Sequence, residues 1–115
     1  MLPENDATRL RHMLDASLEA VELAEERDER QLEKERTVSL ALVRLLEIVG
    51  EAASGVSADT RAALPGVPWR GMVDMRNRVI HAYMDVDLGI VAITIRDDLP
   101  LLIVSLRQAL DIERA

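Results

Sequence analysis

One stretch of this chain gathers side chains that can move protons and hold phosphate: Arg76-Asn77-Arg78-Val79-Ile80-His81-Ala82-Tyr83. A histidine accepts a proton when neutral and donates one when charged, near physiological pH. An arginine keeps its charge and grips phosphate with a two-pronged geometry. An asparagine can orient an imidazole or bind a phosphate oxygen. Arg76, Asn77, Arg78 and His81 are therefore the parts for metal-free cleavage of RNA. In that chemistry the 2′-hydroxyl attacks the neighbouring phosphate, histidine manages a proton, and arginine stabilises the charge that builds on phosphorus.

Helical spacing divides these groups. At about 100° per residue, Asn77 and His81 share a face, as do Arg76 and Tyr83, whereas Arg76 and His81 stand about 140° apart. One straight helix does not aim both at one phosphate. Either Arg76 curls round on its long side chain, or two copies of the helix meet across a two-fold axis and share a cleft. The second geometry is the one expected here. The other histidine, His12, lies beside Arg11 on an earlier helix and reads as an exposed surface residue.

Composition narrows the setting. The chain has 115 residues and carries a net charge of −7, so a broad, non-specific nucleic-acid-coating surface is excluded, because phosphate neutralisation needs a basic one. A local cationic site is not excluded: residues 69–83 hold Arg70, Arg76 and Arg78 against a single acid, Asp74. There is no cysteine, which removes disulfides and thiolate metal sites. Glu47 and Glu51, four apart, make a weak metal pair because no other ligand cluster is evident; they are expected instead to pair with arginines of the motif helix. No metal or cofactor is therefore expected. The first residues lack the basic-then-apolar pattern of a signal peptide, and no apolar run approaches the ~20 residues of a membrane span. These features point to a cytoplasmic protein with no membrane attachment.

The elements that must position the motif are helical throughout. Leu10, Met13, Leu14, Leu18 and Val21 fall on one face of a helix from about Asp6 to Arg30, capped by Asn5 or Asp6. Leu23 falls off that stripe. The mixed charges from Glu25 to Arg36 read as a solvated helix end, with a turn near Glu29 to Leu32. Val38, Leu42, Leu45, Leu46 and Val49 line a second helix, Leu32 to Ala53, where the small Gly50 invites close approach of another helix. Ser57 caps a short helix, Ala58 to Leu64, stopped by Pro65-Gly66. Pro68 opens the motif helix, which ends near Tyr83. A last helix runs from about Asp87 to Ile112, kinked at Pro100. The expected fold is an all-α, up-and-down bundle of four main helices plus a short helix, forming a single domain over residues 1–115.

Four segments in order carry a family resemblance: Leu46-Glu47-Ile48-Val49-Gly50-Glu51-Ala52-Ala53, Pro65-Gly66-Val67-Pro68-Trp69, the R-x4-H-x-Y motif of Arg76 to Tyr83, and Asp98-Leu99-Pro100-Leu101-Leu102. With these the chain resembles the HepT-like members of the HEPN superfamily, the toxins of HEPN–MNT toxin–antitoxin pairs. The resemblance spans nearly the whole length. It implies an all-α fold that dimerises and a metal-independent endoribonuclease with Arg76 and His81 as its active residues and Asn77 as the polar residue after the arginine. It further implies neutralisation by an MNT-type nucleotidyltransferase antitoxin, with Tyr83 as the acceptor of adenylyl groups. The RNA target, tRNA or mRNA, stays open. The competing reading is a non-catalytic helical module that docks on a nucleotidyltransferase and helps it hold substrate.

Overall fold

The computed structural model describes residues 2–81 and 88–111, without the side chains of residues 79–81. Every regular element in that range is helical: α1 (Glu4–Ala24), α2 (Glu29–Lys34), α3 (Arg36–Gly55), α4 (Ala58–Ala63), α5 (Trp69–His81), α6 (Leu88–Ile93), a π turn (Thr94–Asp98) and α7 (Leu99–Leu110).

The core follows from helical periodicity. Leu10, Met13 and Leu14 of α1, Leu42, Leu46 and Val49 of α3, Met72 and Met75 of α5, and Leu99, Leu102 and Leu106 of α7 are buried together. The helix α3 packs against α1 on one flank and α5 on another, and α7 packs on α1. The helix that carries the motif is thus seated on α3. Leu18, Val21 and Leu23 pack only partly buried at the edge of this core. Positions Ala16, Ser17 and Ala20 are buried beside α1's apolar stripe.

Several boundaries differ from the sequence reading, each for a local reason. The chain leaves α1 at Ala24, and Glu26 takes a left-handed conformation (φ 66°). A capping box then starts α2: Asp28 Oδ1 accepts from the Gln31 amide at 2.9 Å, and the Asp28 amide donates to Gln31 Oε1 at 2.9 Å. The turn therefore falls ahead of the expected 29–32. Arg27 closes it, donating to Glu35 Oε2 at 2.8 Å and to the Leu23 carbonyl at 2.5 Å.

Neither Asn5 nor Asp6 caps α1; Pro3 occupies that position and no side chain bonds there. Asp6 lies inside the first turn and is buried, reaching α4 instead. Its carboxylate accepts from the Ser57 amide at 3.0 Å, the Ser57 hydroxyl at 2.6 Å and the Thr60 hydroxyl at 2.5 Å. Ser57 caps α4 as expected, its Oγ accepting from the Thr60 amide. The same hydroxyl thus serves both helices.

The interruption expected at Pro100 takes the form of the π turn. Proline lacks an N–H and its ring would collide with the carbonyl four residues back, at Arg96, in a regular helix. The chain widens the preceding turn instead: the Leu99 amide bonds to the Thr94 carbonyl, five residues back, while Ile93 and Leu99 keep right-handed helical dihedrals. The path from Leu88 to Leu110 stays helical. Of the apolar residues after Pro100, Leu102 and Leu106 enter the core, whereas Leu101 and Val104 are 71% and 48% exposed.

Candidate active site on the helix Trp69–His81

The helix α5 is fixed at its start by the loop before it. The Trp69 amide donates to the Val67 carbonyl and the Met72 amide to the Pro68 carbonyl, so Pro68 immediately precedes the helix. Trp69 Nε1–H donates to the Leu64 carbonyl at 3.0 Å, and Val67 is buried.

The middle of α5 lies against α3 at Gly50. A Cβ built on Gly50 would overlap the Arg76 Cβ and come within 3.0 Å of both the Arg76 Cγ and the Met72 carbonyl oxygen. Only a residue without a side chain lets α5 approach here. The close approach suggested by a small residue at position 50 is realised, and the residue it admits is Arg76.

Arg76 is half-buried. Its Nη2 donates to Asn77 Oδ1 at 2.9 Å. Its Nε is buried and has no hydrogen-bond partner among the described residues. A buried N–H of a charged group without an acceptor is costly. Asn77, half-buried, steadies the guanidinium; of the two roles left open for it by sequence, neither anticipated this bond. Arg78 is exposed.

The helix continues through His81, five positions after Arg76. The imidazole of His81, and Tyr83, lie outside the described residues. His12 is exposed on α1, as expected.

Among the described residues, Glu47 and Glu51 form no ion pair with the motif helix. Both face Arg44 of their own helix, at 3.4 and 3.6 Å. Residues three and seven apart on α3 share a face, so one arginine reaches both carboxylates. Among the described residues, no group of three or more His, Asp or Glu gathers where it could hold a metal ion.

A second feature lies beside the motif. An open groove of about 600 Å³ runs between α4 and α5, with Arg61 and Ala62 on one wall and Trp69, Arg70, Val73 and Asp74 on the other. Sequence reading registered Arg70 only as part of a cationic window. Arg61 was missed because its place beside α5 depends on the fold.

Comparison with known proteins identifies the family of this chain. The family model described as Ribonuclease HepT-like matches residues 13–109. A protein of Thermococcus cleftensis named "Probable ribonuclease HepT" is 38% identical over 66 residues, which span 57% of this chain and 60% of that relative. A Methanocaldococcus jannaschii protein named as a candidate RNase is 31% identical over 88 residues, 76% of this chain and 81% of its own length. A similarly named Caldanaerobacter subterraneus protein is 33% identical over 81 residues, 70% and 72% of the two chains. No solved structure gives a significant match.

Proposed function

The chain belongs to the Ribonuclease HepT-like family, and we propose that it is a metal-independent endoribonuclease, the toxin of a toxin–antitoxin pair, with Arg76 and His81 as its catalytic residues. The observation that carries this reading is the seat of Arg76. A side chain whose Cβ and Cγ lie against Gly50 and whose Nη2 is held by Asn77 keeps its guanidinium in one place, where its remaining N–H groups can receive an oxygen anion. In the reaction the RNA 2′-oxygen bonds to phosphorus and the bond to the 5′-oxygen breaks. His81 handles a proton, taking it from the 2′-hydroxyl or giving it to the leaving 5′-oxygen. Arg76 meets the negative charge on the phosphoryl oxygens, and Arg78 adds a surface contact to the strand.

The angular separation of positions 76 and 81 on one helix supports a site shared across a homodimer. Each copy then lends Arg76 to the His81 of its partner. Neutralisation follows from charge. An MNT-type nucleotidyltransferase that moves an adenylyl group from a nucleoside triphosphate to the Tyr83 phenol, with loss of pyrophosphate, places phosphate beside the RNA path and repels the strand.

The test is expression of the chain alone, with cleavage measured on purified protein in the presence of a chelator. Growth arrest and RNA cleavage that disappear in Arg76→Ala and His81→Ala are expected. Harmless expression of a well-folded parent favours the binding-module reading, and a His81→Ala protein that cuts as well as the parent rules out the catalytic assignment.

A further inference from the structure

The groove between α4 and α5 is not used by the catalytic pair, yet its chemistry is specific. Arg61 and Arg70 stand on opposite walls, and neither forms an ion pair with any described residue. In a chain of net charge −7, two free guanidiniums facing one trough draw an anion to that place rather than to the surface at large. Val73 and Ala62 make the trough partly apolar, and Trp69 lines it as well. The indole is pinned by its bond to the Leu64 carbonyl, so its ring is a fixed wall. Asp74 supplies an acceptor.

Cations for phosphates beside a rigid aromatic face form the recognition chemistry of single-stranded nucleic acid. A trough of about 600 Å³ has room for a nucleotide-sized segment. Its direction matters as well. Val73 and Asn77 are one turn apart on α5, and Arg70 and Asn77 two turns apart, about 10 Å along the axis. The face of α5 that lines the groove at Arg70 and Val73, continued one turn further, carries Asn77, the residue that holds the Arg76 guanidinium.

We propose that the α4–α5 groove is a subsite for single-stranded RNA next to the bond that is cut, with Arg61 and Arg70 on its phosphates and Trp69 against a base. This rests on the ribonuclease reading above. It makes the groove, rather than the catalytic pair, the part that holds the strand flanking the scissile phosphate.

The probe is a fluorescein-labelled, fully 2′-O-methylated single-stranded RNA of mixed sequence, which binds but lacks the attacking hydroxyl. Trp69 is the chain's only tryptophan, so its emission reports the groove directly and should change on saturation. In Arg61→Ala/Arg70→Ala the Kd should rise roughly tenfold at low salt, and the slope of log affinity against log salt should fall by about 0.7 for each arginine that meets a phosphate. The Arg61→Lys/Arg70→Lys pair should restore the slope. With cleavable RNA, KM should rise by the same factor while kcat holds. An unchanged Kd and salt slope in a double-alanine variant of normal thermal stability, or a Trp69 emission indifferent to bound RNA, overturns the proposal. Because the probe cannot be cut, that failure is distinct from failure of the ribonuclease reading, which is judged by cleavage in the parent and in His81→Ala.

Discussion

Gly50→Ala separates helix propensity from helix contact at the centre of the site. In an exposed helix interior, glycine to alanine stabilises by about 1 kcal/mol. At Gly50 the new methyl would overlap the Arg76 Cβ and sit 3.0 Å from the Met72 carbonyl oxygen, and neither obstacle is the free end of a side chain. The helices must part, at an overpacking cost of about 1–3 kcal/mol. The net expectation is a loss of about 1 kcal/mol, a drop of roughly 5 °C in a melt followed by circular dichroism. Activity should suffer far more, because a displacement near 1 Å at a catalytic group can cost about a hundredfold in rate. Gly71→Ala is the control. It lies on the exposed side of the same α5, and its Cβ would meet nothing closer than 3.8 Å, so it should raise the melting temperature by a few degrees and leave cleavage intact. A Gly50→Ala protein as stable and as active as Gly71→Ala would refute the claim that Gly50 seats Arg76.

Three further outcomes follow. If Arg76 and His81 act across a dimer, mixing inactive Arg76→Ala and His81→Ala proteins should restore cleavage to about a quarter of the parent's, since half of the pairs are mixed and one of their two sites is whole; no recovery after demonstrated exchange of protomers rules out a shared site. Ser17 Oγ is buried without a hydrogen-bond partner among the described residues, so Ser17→Ala should be neutral or stabilising by up to about 1 kcal/mol in urea unfolding; a clear loss would reveal a bond not present here. The Ser57 hydroxyl, then the Thr60 hydroxyl and the Ser57 amide, hold the Asp6 carboxyl below its ordinary value of 3.8, against the opposing effect of burial and with help from Arg9. A carboxyl lowered in the folded state contributes stability that is full above its unfolded value and is lost as pH falls through the folded one. The parent should therefore lose stability below pH 3.8 more steeply than Asp6→Asn, and parallel acid profiles would contradict the role given to this carboxylate.

Much of this architecture was legible because helices repeat at a fixed interval. The spacing of Leu10, Met13 and Leu14, and of Leu42, Leu46 and Val49, marks two core stripes without knowledge of their partners, and Ser57 announces its helix by local capping chemistry. Gly50 signalled a close approach but not what approaches. The failures share a cause: the deciding contact is either distant or masked by uniform composition. Asp6 reads as a cap because its true partners lie 51 and 54 residues away. The Asp28–Gln31 box was hidden inside a run of charges, although its spacing was there to be read. In Leu101-Leu102-Ile103-Val104 every residue is apolar, so pattern alone cannot tell the buried Leu102 from the exposed Leu101. Glu47 and Glu51 were assigned to the motif helix on chemistry, while the simple geometry of α3 gives them to Arg44. Within the site, the motif located Arg76 and His81 on one helix, but the Arg76–Asn77 bond and the neighbouring groove depend on how α3, α4 and α5 come together.

The carboxylate of Asp6 also ties the beginning of the chain to its middle. The short helix α4 has six residues, too few to persist alone, and one of its fastenings is a side chain in the opening turn of α1. Loosening the extreme N-terminus, by trimming, by a bulky fusion or by protonating one carboxyl, would therefore be felt some fifty residues later, in the wall that carries Arg61. The first turn of the chain works as a latch on that wall, and the choice of which end to tag becomes a variable in any binding measurement made on the groove.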